Sequence, residues 1–323
     1  MTYCMAPYRN VYLNNGIARP CCWYDRSKLN NRVEKLIDIK DVFGKEGFDK
    51  SGCWKCQMHE DAGGKSHRMM WNEREAGNEI RLENLDIYMG NLCNLACITC
   101  SSHNSSKWIS EEKKIFGSSY KDKQDEIDVK IDYELVQYVK RIKLAGGEVF
   151  LMPHHIELLD QLIDLDVAKN ITLVYIVNNT IDPDQFKKWW QKFKAVEFIL
   201  SVDGIGKIND YIRYYSDWST NLKNIEKALK IGKCSVNCVV SRLNIMHIPE
   251  VLKWWDNRGE IFFRILDYPK RLSIKTLRAD ERLEAIDLLD QKEFEHIVHV
   301  LKTSEFVKSD DWLETLNAYR KTL

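Results

Sequence analysis

From Leu82 to about residue 270 the sequence alternates short apolar runs with longer amphipathic stretches, and this alternation limits the fold more than any other feature. The runs predict strands over 84–89, 141–145, 171–177, 196–202, 236–241 and 260–266. Apolar residues at helical spacing predict helices over 104–115, 133–140, 155–168, 184–193, 218–231 and 247–257. Strands and helices in regular alternation predict parallel βαβ units, hence an α/β fold with six strand–helix repeats. In such architectures ligands collect at the carboxyl ends of the strands. Residues with chemistry to offer are therefore sought there.

Composition narrows the function classes. The 323 residues are 44% apolar and 30% charged, as in ordinary globular proteins. Forty-eight basic residues balance 48 acidic ones, so no charge bias points to a nucleic-acid partner. No apolar run reaches membrane-spanning length, and MTYCMAPYRN lacks the apolar core of a signal peptide. A cytoplasmic protein without a membrane partner is expected. In that compartment ten cysteines argue against disulfides and for metal or redox chemistry.

The cysteines are unevenly placed. Cys93, Cys97 and Cys100 follow the alternating run Leu85, Ile87, Met89 at the end of the first predicted strand. Three thiolates spaced Cys-x3-Cys-x2-Cys on one loop can converge on one point. Iron–sulfur clusters normally take four cysteines. Three leave one iron with an open position, which distinguishes a reactive metal site from a closed one. On the residues alone, a structural zinc knuckle or three buried cysteines is the alternative.

The triplet resembles the cluster loop of the radical S-adenosylmethionine (radical SAM) enzymes, with Thr99 where that family usually has an aromatic residue. The resemblance implies a partial (β/α)6 barrel over 81–270, a [4Fe–4S] cluster on Cys93, Cys97 and Cys100, and SAM chelated to the fourth iron. It also implies reductive cleavage of SAM to a 5′-deoxyadenosyl radical that takes hydrogen from a substrate. Later strand ends carry further matches. Gly146-Gly147-Glu148 resembles the motif that binds the SAM amino group, with Val149 in place of the usual proline. Val177-Asn178-Asn179-Thr180 resembles a strand end near the ribose. Asn179 stands where glycine is usual, and asparagine tolerates positive φ. Ser201-Val202-Asp203-Gly204 with Arg213 resembles a signature of peptide-modifying members. By this resemblance Ser201 meets the ribose, Arg213 the SAM carboxylate, and Asp203 the substrate or its departing proton. Val240, at the end of the fifth strand, is a small apolar residue suited to packing on adenine. Cys234 and Cys238 share one face of that strand and read as core.

Residues 1–80 read as small and loop-rich, with Cys4, Gly16-x4-Cys21, Cys22 and Cys53-x2-Cys56. Four placed cysteines can close a tetrahedral metal site, for zinc or for iron–sulfur. The pattern resembles the SPASM and twitch auxiliary-cluster modules of radical SAM enzymes, here preceding the barrel. That resemblance implies a second [4Fe–4S] cluster on Cys4, Cys21, Cys53 and Cys56, with Cys22 as an alternative to Cys21. Residues 271–323 carry no cysteine and show helical periodicity, and are expected to form a C-terminal helical extension.

The expected activity is oxidative modification of a peptide or protein side chain. The auxiliary cluster accepts an electron, and flavodoxin or ferredoxin serves as reductant. A dehydrogenase or cyclase of a small metabolite or nucleotide is the alternative enzyme. A zinc-binding scaffold is the alternative from another class.

Overall fold

The computed structural model describes residues 4–14, 17–28, 50–61, 63–74, 81–116 and 133–306. Gly16 and the part of the expected C-terminal extension beyond 306 lie outside the described residues.

Among the described residues eight strands are ordered β2-β1-β3-β4-β5-β6-β7-β8. They are β1 (Asn10–Asn14), β2 (Ile17–Arg19), β3 (Asn84–Tyr88), β4 (Arg141–Ala145), β5 (Thr172–Val177), β6 (Ala195–Ser201), β7 (Lys233–Val240) and β8 (Ile261–Ile265). Parallel pairing joins β1 to β3, β3 to β4, β4 to β5 and β7 to β8. Helices follow the strands as the alternation demands, among them Ser106–Phe116, Pro153–Asp164, Trp218–Ile231 and Ile248–Trp255. This is an α/β fold on a parallel-strand sheet, consistent with the expected partial barrel.

The first two strands differ from expectation. The N-terminal stretch, read as loop, supplies β1, parallel to β3, and β2, antiparallel to β1. The reason is visible in side-chain alternation. Val11 and Leu13 of β1 are buried, as Leu85 and Ile87 are on β3 and Ile142 and Leu144 on β4. The intervening residues are polar: Tyr12 pairs with Asp86, and Asp86 with Lys143. Lys143 forms an ion pair with Asp86 across the strands. A strand of five residues whose partner lies more than seventy residues away leaves little local signal.

By packing, the described residues separate into two compact units. One takes in those up to Gly90, 133–176 and Pro183–Phe198; the other takes in 91–116, Val177–Asp182 and 199–306. In the first unit the helix Pro153–Asp164 buries His155, Leu158, Leu159 and Leu162. Each buried aliphatic side chain contributes about 1.5–3 kcal/mol. In the second, Asp217 caps Trp218–Ile231 by accepting from the Thr220 N–H. Cys234 and Cys238 are buried in β7, in keeping with the core role expected of them. Arg282 donates to the carbonyls of Leu277, Lys275 and Ser304, and so ties the helices Ala279–Leu288 and Glu295–Thr303 together. Among the described residues no helix is long and apolar enough to cross a membrane.

Candidate functional site

The loop leaving β3 is fixed by its backbone and its apolar residues. Leu95, Ala96 and Ile98, the apolar residues between the cysteines, are 1%, 0% and 0% exposed. The N–H groups of Ala96 and Ile98 donate to the carbonyls of Tyr214 and Ile212 at 3.1 and 2.7 Å. Trp108 donates its indole N–H to the Cys97 carbonyl at 2.8 Å and packs with Ala96, Ile98, Leu266 and Leu272. The Cys93 N–H donates to the Ser106 hydroxyl at 3.1 Å. With the apolar residues turned into the core, the three cysteines are left to one another's company. Burial pushes the Cys97 thiol up to about 11, against the pull of Arg213 and with the push of Cys93 and Asp203. Burial also raises Cys100, with Cys97 and Cys93 adding to it.

Polar groups of the same unit surround this loop. Asn178 at the end of β5 donates to Cys93 Sγ at 3.8 Å and to Asn94 Oδ1 at 2.9 Å, and accepts from the Thr180 hydroxyl. Asn94 in turn donates to Thr180 at 2.8 Å. Asn179 has φ 67°, the conformation anticipated for a residue standing in for glycine. Its side chain donates to the carbonyl of Ser201. Arg213 Nη1 donates to Asp203 Oδ2 at 2.8 Å, while the Val239 N–H occupies the other Asp203 oxygen. Asp203 is 0% exposed, and its carbonyl accepts from Asn244. Its carboxylate is thus directed at Arg213 and β7. Val240 is fully buried.

In the other unit, Gly146 follows β4 where it meets Gly90. A Cβ at 146 would stand 2.7 Å from the Gly90 carbonyl oxygen, and the Gly147 N–H donates to that same oxygen. The requirement for glycine is therefore a close approach of two backbones. Glu148 is fully buried and accepts from the Phe150 N–H at 3.2 Å.

The N-terminal cysteines come together in that unit too. Cys4, Cys21, Cys53 and Cys56 line one small cavity with Trp23, His67, Arg68 and Trp71. Backbone N–H groups of Ala6, Trp23 and Arg68 donate to Cys4, Cys21 and Cys56 respectively. Burial raises all three thiols, Cys4 to about 11. Cys22 does not line the cavity; its nearest charges are Lys143, Asp86 and Arg19. Among the described residues no three His, Cys, Asp or Glu side chains stand close enough to hold a single metal ion.

A family model described as the Radical SAM superfamily matches residues 87–254, more than half of the chain. The chain belongs to this superfamily. Its members are enzymes, and membership implies a [4Fe–4S] cluster and SAM. No curated protein matches the chain. Among solved structures, SuiB of Streptococcus suis bound to S-adenosylmethionine is 17% identical, with TM-score 0.38, over 58% of this chain and 40% of SuiB. Native anSMEcpe with bound AdoMet is 18% identical, with TM-score 0.44, over 73% of this chain and 66% of that one. SuiB bound to its precursor peptide SuiA is 15% identical, with TM-score 0.40, over 74% and 51%. The radical SAM chain described here thus spans less than two thirds of each of these structures.

The residues present fit the groups the superfamily implies. Cys97, buried, and Cys93 and Cys100, half-buried, would repel one another as thiolates beside a guanidinium, and so suit a cationic iron centre, which deprotonates the thiols it binds. Arg213 Nε is buried and has no hydrogen-bond partner among the described residues, although such groups are normally satisfied. A carboxylate is the acceptor best matched to that fork. Asn94 escaped the sequence reading, and Thr180 entered it only as the last residue of the 177–180 motif, because polar residues in loops look solvated. Their only signal was their place beside Cys93 and Asn178.

Proposed function

We propose that this radical SAM protein oxidises a peptide or protein side chain, with a second [4Fe–4S] cluster on Cys4, Cys21, Cys53 and Cys56 as electron acceptor. The observation that carries this reading is the convergence of those four thiols on one cavity, while Cys22 turns elsewhere. Four thiolates complete the ligation of a cluster and leave it no position for substrate. When bound, the clusters would supply one-electron chemistry: the one on Cys93, Cys97 and Cys100 would deliver an electron for reductive cleavage of SAM, and the one on Cys4, Cys21, Cys53 and Cys56 would take up the electron that oxidation of the substrate releases.

The chain's own residues hold and orient. Cys93, Cys97 and Cys100 carry the cluster that meets SAM. Arg213 binds the SAM carboxylate, and Asp203 fixes the plane of its guanidinium. By resemblance, Gly146, Gly147 and Glu148 receive the amino group, Ser201 the ribose, and Val240 packs on adenine. Asn178 steadies Cys93 through its sulfur. The peptide substrate is supported by resemblance, of the N-terminal cysteine pattern to SPASM and twitch modules and of Ser201-x-Asp203-Gly204 with Arg213 to a signature of peptide-modifying members. Flavodoxin or ferredoxin provides the first electron, the protein is cytoplasmic, and residues 1–80, 81–270 and 271–323 act as auxiliary module, catalytic domain and helical extension.

Iron and labile sulfide per chain after anaerobic reconstitution test this. About eight irons in the native chain, falling to about four in a Cys93/Cys97/Cys100→Ala variant, are expected of two four-iron clusters. Four falling to none would remove the electron acceptor and with it the oxidative reading.

A further inference from the structure

Building on the auxiliary-cluster reading above, we propose that Arg68 and Glu60 are a positioning pair that sets the reduction potential of the centre on Cys4, Cys21, Cys53 and Cys56.

Arg68 lines the same cavity as the four thiols, whereas Glu60 does not. The side chain of Arg68 is 7% exposed and that of Glu60 is 19% exposed. The guanidinium is held in place: Nε donates to Glu60 Oε1 at 3.1 Å, and Nη2 to Oε2. The Ser66 hydroxyl donates to the same carboxylate, so Glu60 is fixed as well. Glu60 rides on the helix Trp54–Asp61, one turn beyond Cys56. Residues so spaced share a helix face. Glu60 therefore braces the guanidinium from the helix face it shares with Cys56, and its charge reaches that thiol, while Cys4 is met by the charge of Arg68.

The charges are unequal as the cavity experiences them. Arg68 lines the wall and acts on both Cys4 and Cys56, whereas Glu60 acts on Cys56, so the cation reaches more of the cavity than its counter-charge does. The Arg68 backbone N–H is also directed at Cys56, so the residue offers both a donor and a charge to one ligand. Net charge, hydrogen bonds to sulfur and solvent exposure set cluster potentials. A nearby cation favours the reduced form, which carries one more negative charge. Trp23 and Trp71 form the apolar part of the wall, where such a charge is little screened. An acceptor of the substrate electron needs this raised potential, so the pair suits the centre to taking an electron.

The test is a potentiometric titration followed by electron paramagnetic resonance. It uses the full chain in the Cys93/Cys97/Cys100→Ala background, where only this cluster contributes. Arg68→Gln is expected to lower the midpoint so that the oxidised-to-reduced ratio at fixed potential rises at least tenfold, about 59 mV for one electron. Glu60→Gln, which removes the counter-charge, is expected to move it the other way. Arg68→Lys should stay near the background value. A role confined to joining two helices would not give shifts of opposite sign. Unchanged midpoints, or shifts of one sign, in variants holding as much iron as the background overturn the proposal. If Arg68→Gln loses iron, absence of an upward shift in Glu60→Gln does the same. A background that holds no iron refutes the auxiliary cluster itself, a failure distinct from an unmoved midpoint.

Discussion

The loop after β3 gathers three thiols, and the N-terminal strands and helices gather four. The two groups differ as much in their surroundings as in their number. Beside Cys93, Cys97 and Cys100 lie amides and hydroxyls from Asn178, Asn94 and Thr180, together with a guanidinium nitrogen still able to donate. Around Cys4, Cys21, Cys53 and Cys56 lie indole rings and an arginine already engaged by Glu60. One setting offers hydrogen-bonding capacity to something that arrives; the other has little to offer a newcomer. The difference is what the proposed reactive centre and the proposed electron acceptor would each require: the same ligand type, told apart by what stands next to it.

The sharpest way to break this comparison is to remove one thiol from each group. Cys97→Ala should abolish 5′-deoxyadenosine formation, and Cys56→Ala should leave it within a few-fold while product formation stops. Chromatography of 5′-deoxyadenosine against product separates the two. Retained 5′-deoxyadenosine in Cys97→Ala would end the assignment of the three-thiol loop. A subtler change asks whether the donor beside that loop is real. Arg213→Lys keeps a cation opposite the buried Asp203, whose removal would cost about 3–5 kcal/mol. It loses the planar fork, however, and one charge-assisted hydrogen bond contributes about 1.5–3 kcal/mol. SAM affinity at equal iron content should fall about tenfold or more, and an unchanged dissociation constant would show that Arg213 serves Asp203 alone.

The smallest effect concerns the unit that holds the four thiols. His155 is 1% exposed there, and its Nε2 lies 2.9 Å from the Tyr175 hydroxyl. Burial holds its pKa down at about 3. The unfolded chain therefore takes up the proton first, near its ordinary pKa of about 6.5. Stability from the neutral imidazole is complete above that pH and is lost as pH falls toward about 3. Urea midpoints at pH 7 and pH 5 should converge in His155→Gln relative to the native chain. An equal drop in both would place the acid sensitivity elsewhere.

All six predicted strands are found, within a few residues at their ends, because each buries one face or both and so writes its period into a short run. β1 was harder to read, since Val11-Tyr12-Leu13 is a brief run among cysteines and turn residues whose partner, β3, is remote in the chain. The choice between Cys21 and Cys22 was open in the sequence, where two adjacent thiols are equivalent. In the structure they have different neighbours, and only Cys21 lines the cavity. The setting of Asp203 was also hidden. By resemblance it was expected to meet the substrate or its departing proton, yet its carboxylate accepts from the Val239 N–H and Arg213, and its own N–H donates to Asn209.

Gly146 bears on how a library of variants of this protein should be interpreted. Any side chain at that position meets the Gly90 carbonyl before it meets a ligand. Saturation mutagenesis will therefore score position 146 as intolerant even under selection for folded protein alone. A map of essential positions drawn from activity would mark Gly146 and Cys97 alike. Only a parallel screen for soluble expression would separate the glycine, which lets two loops pass, from the cysteine.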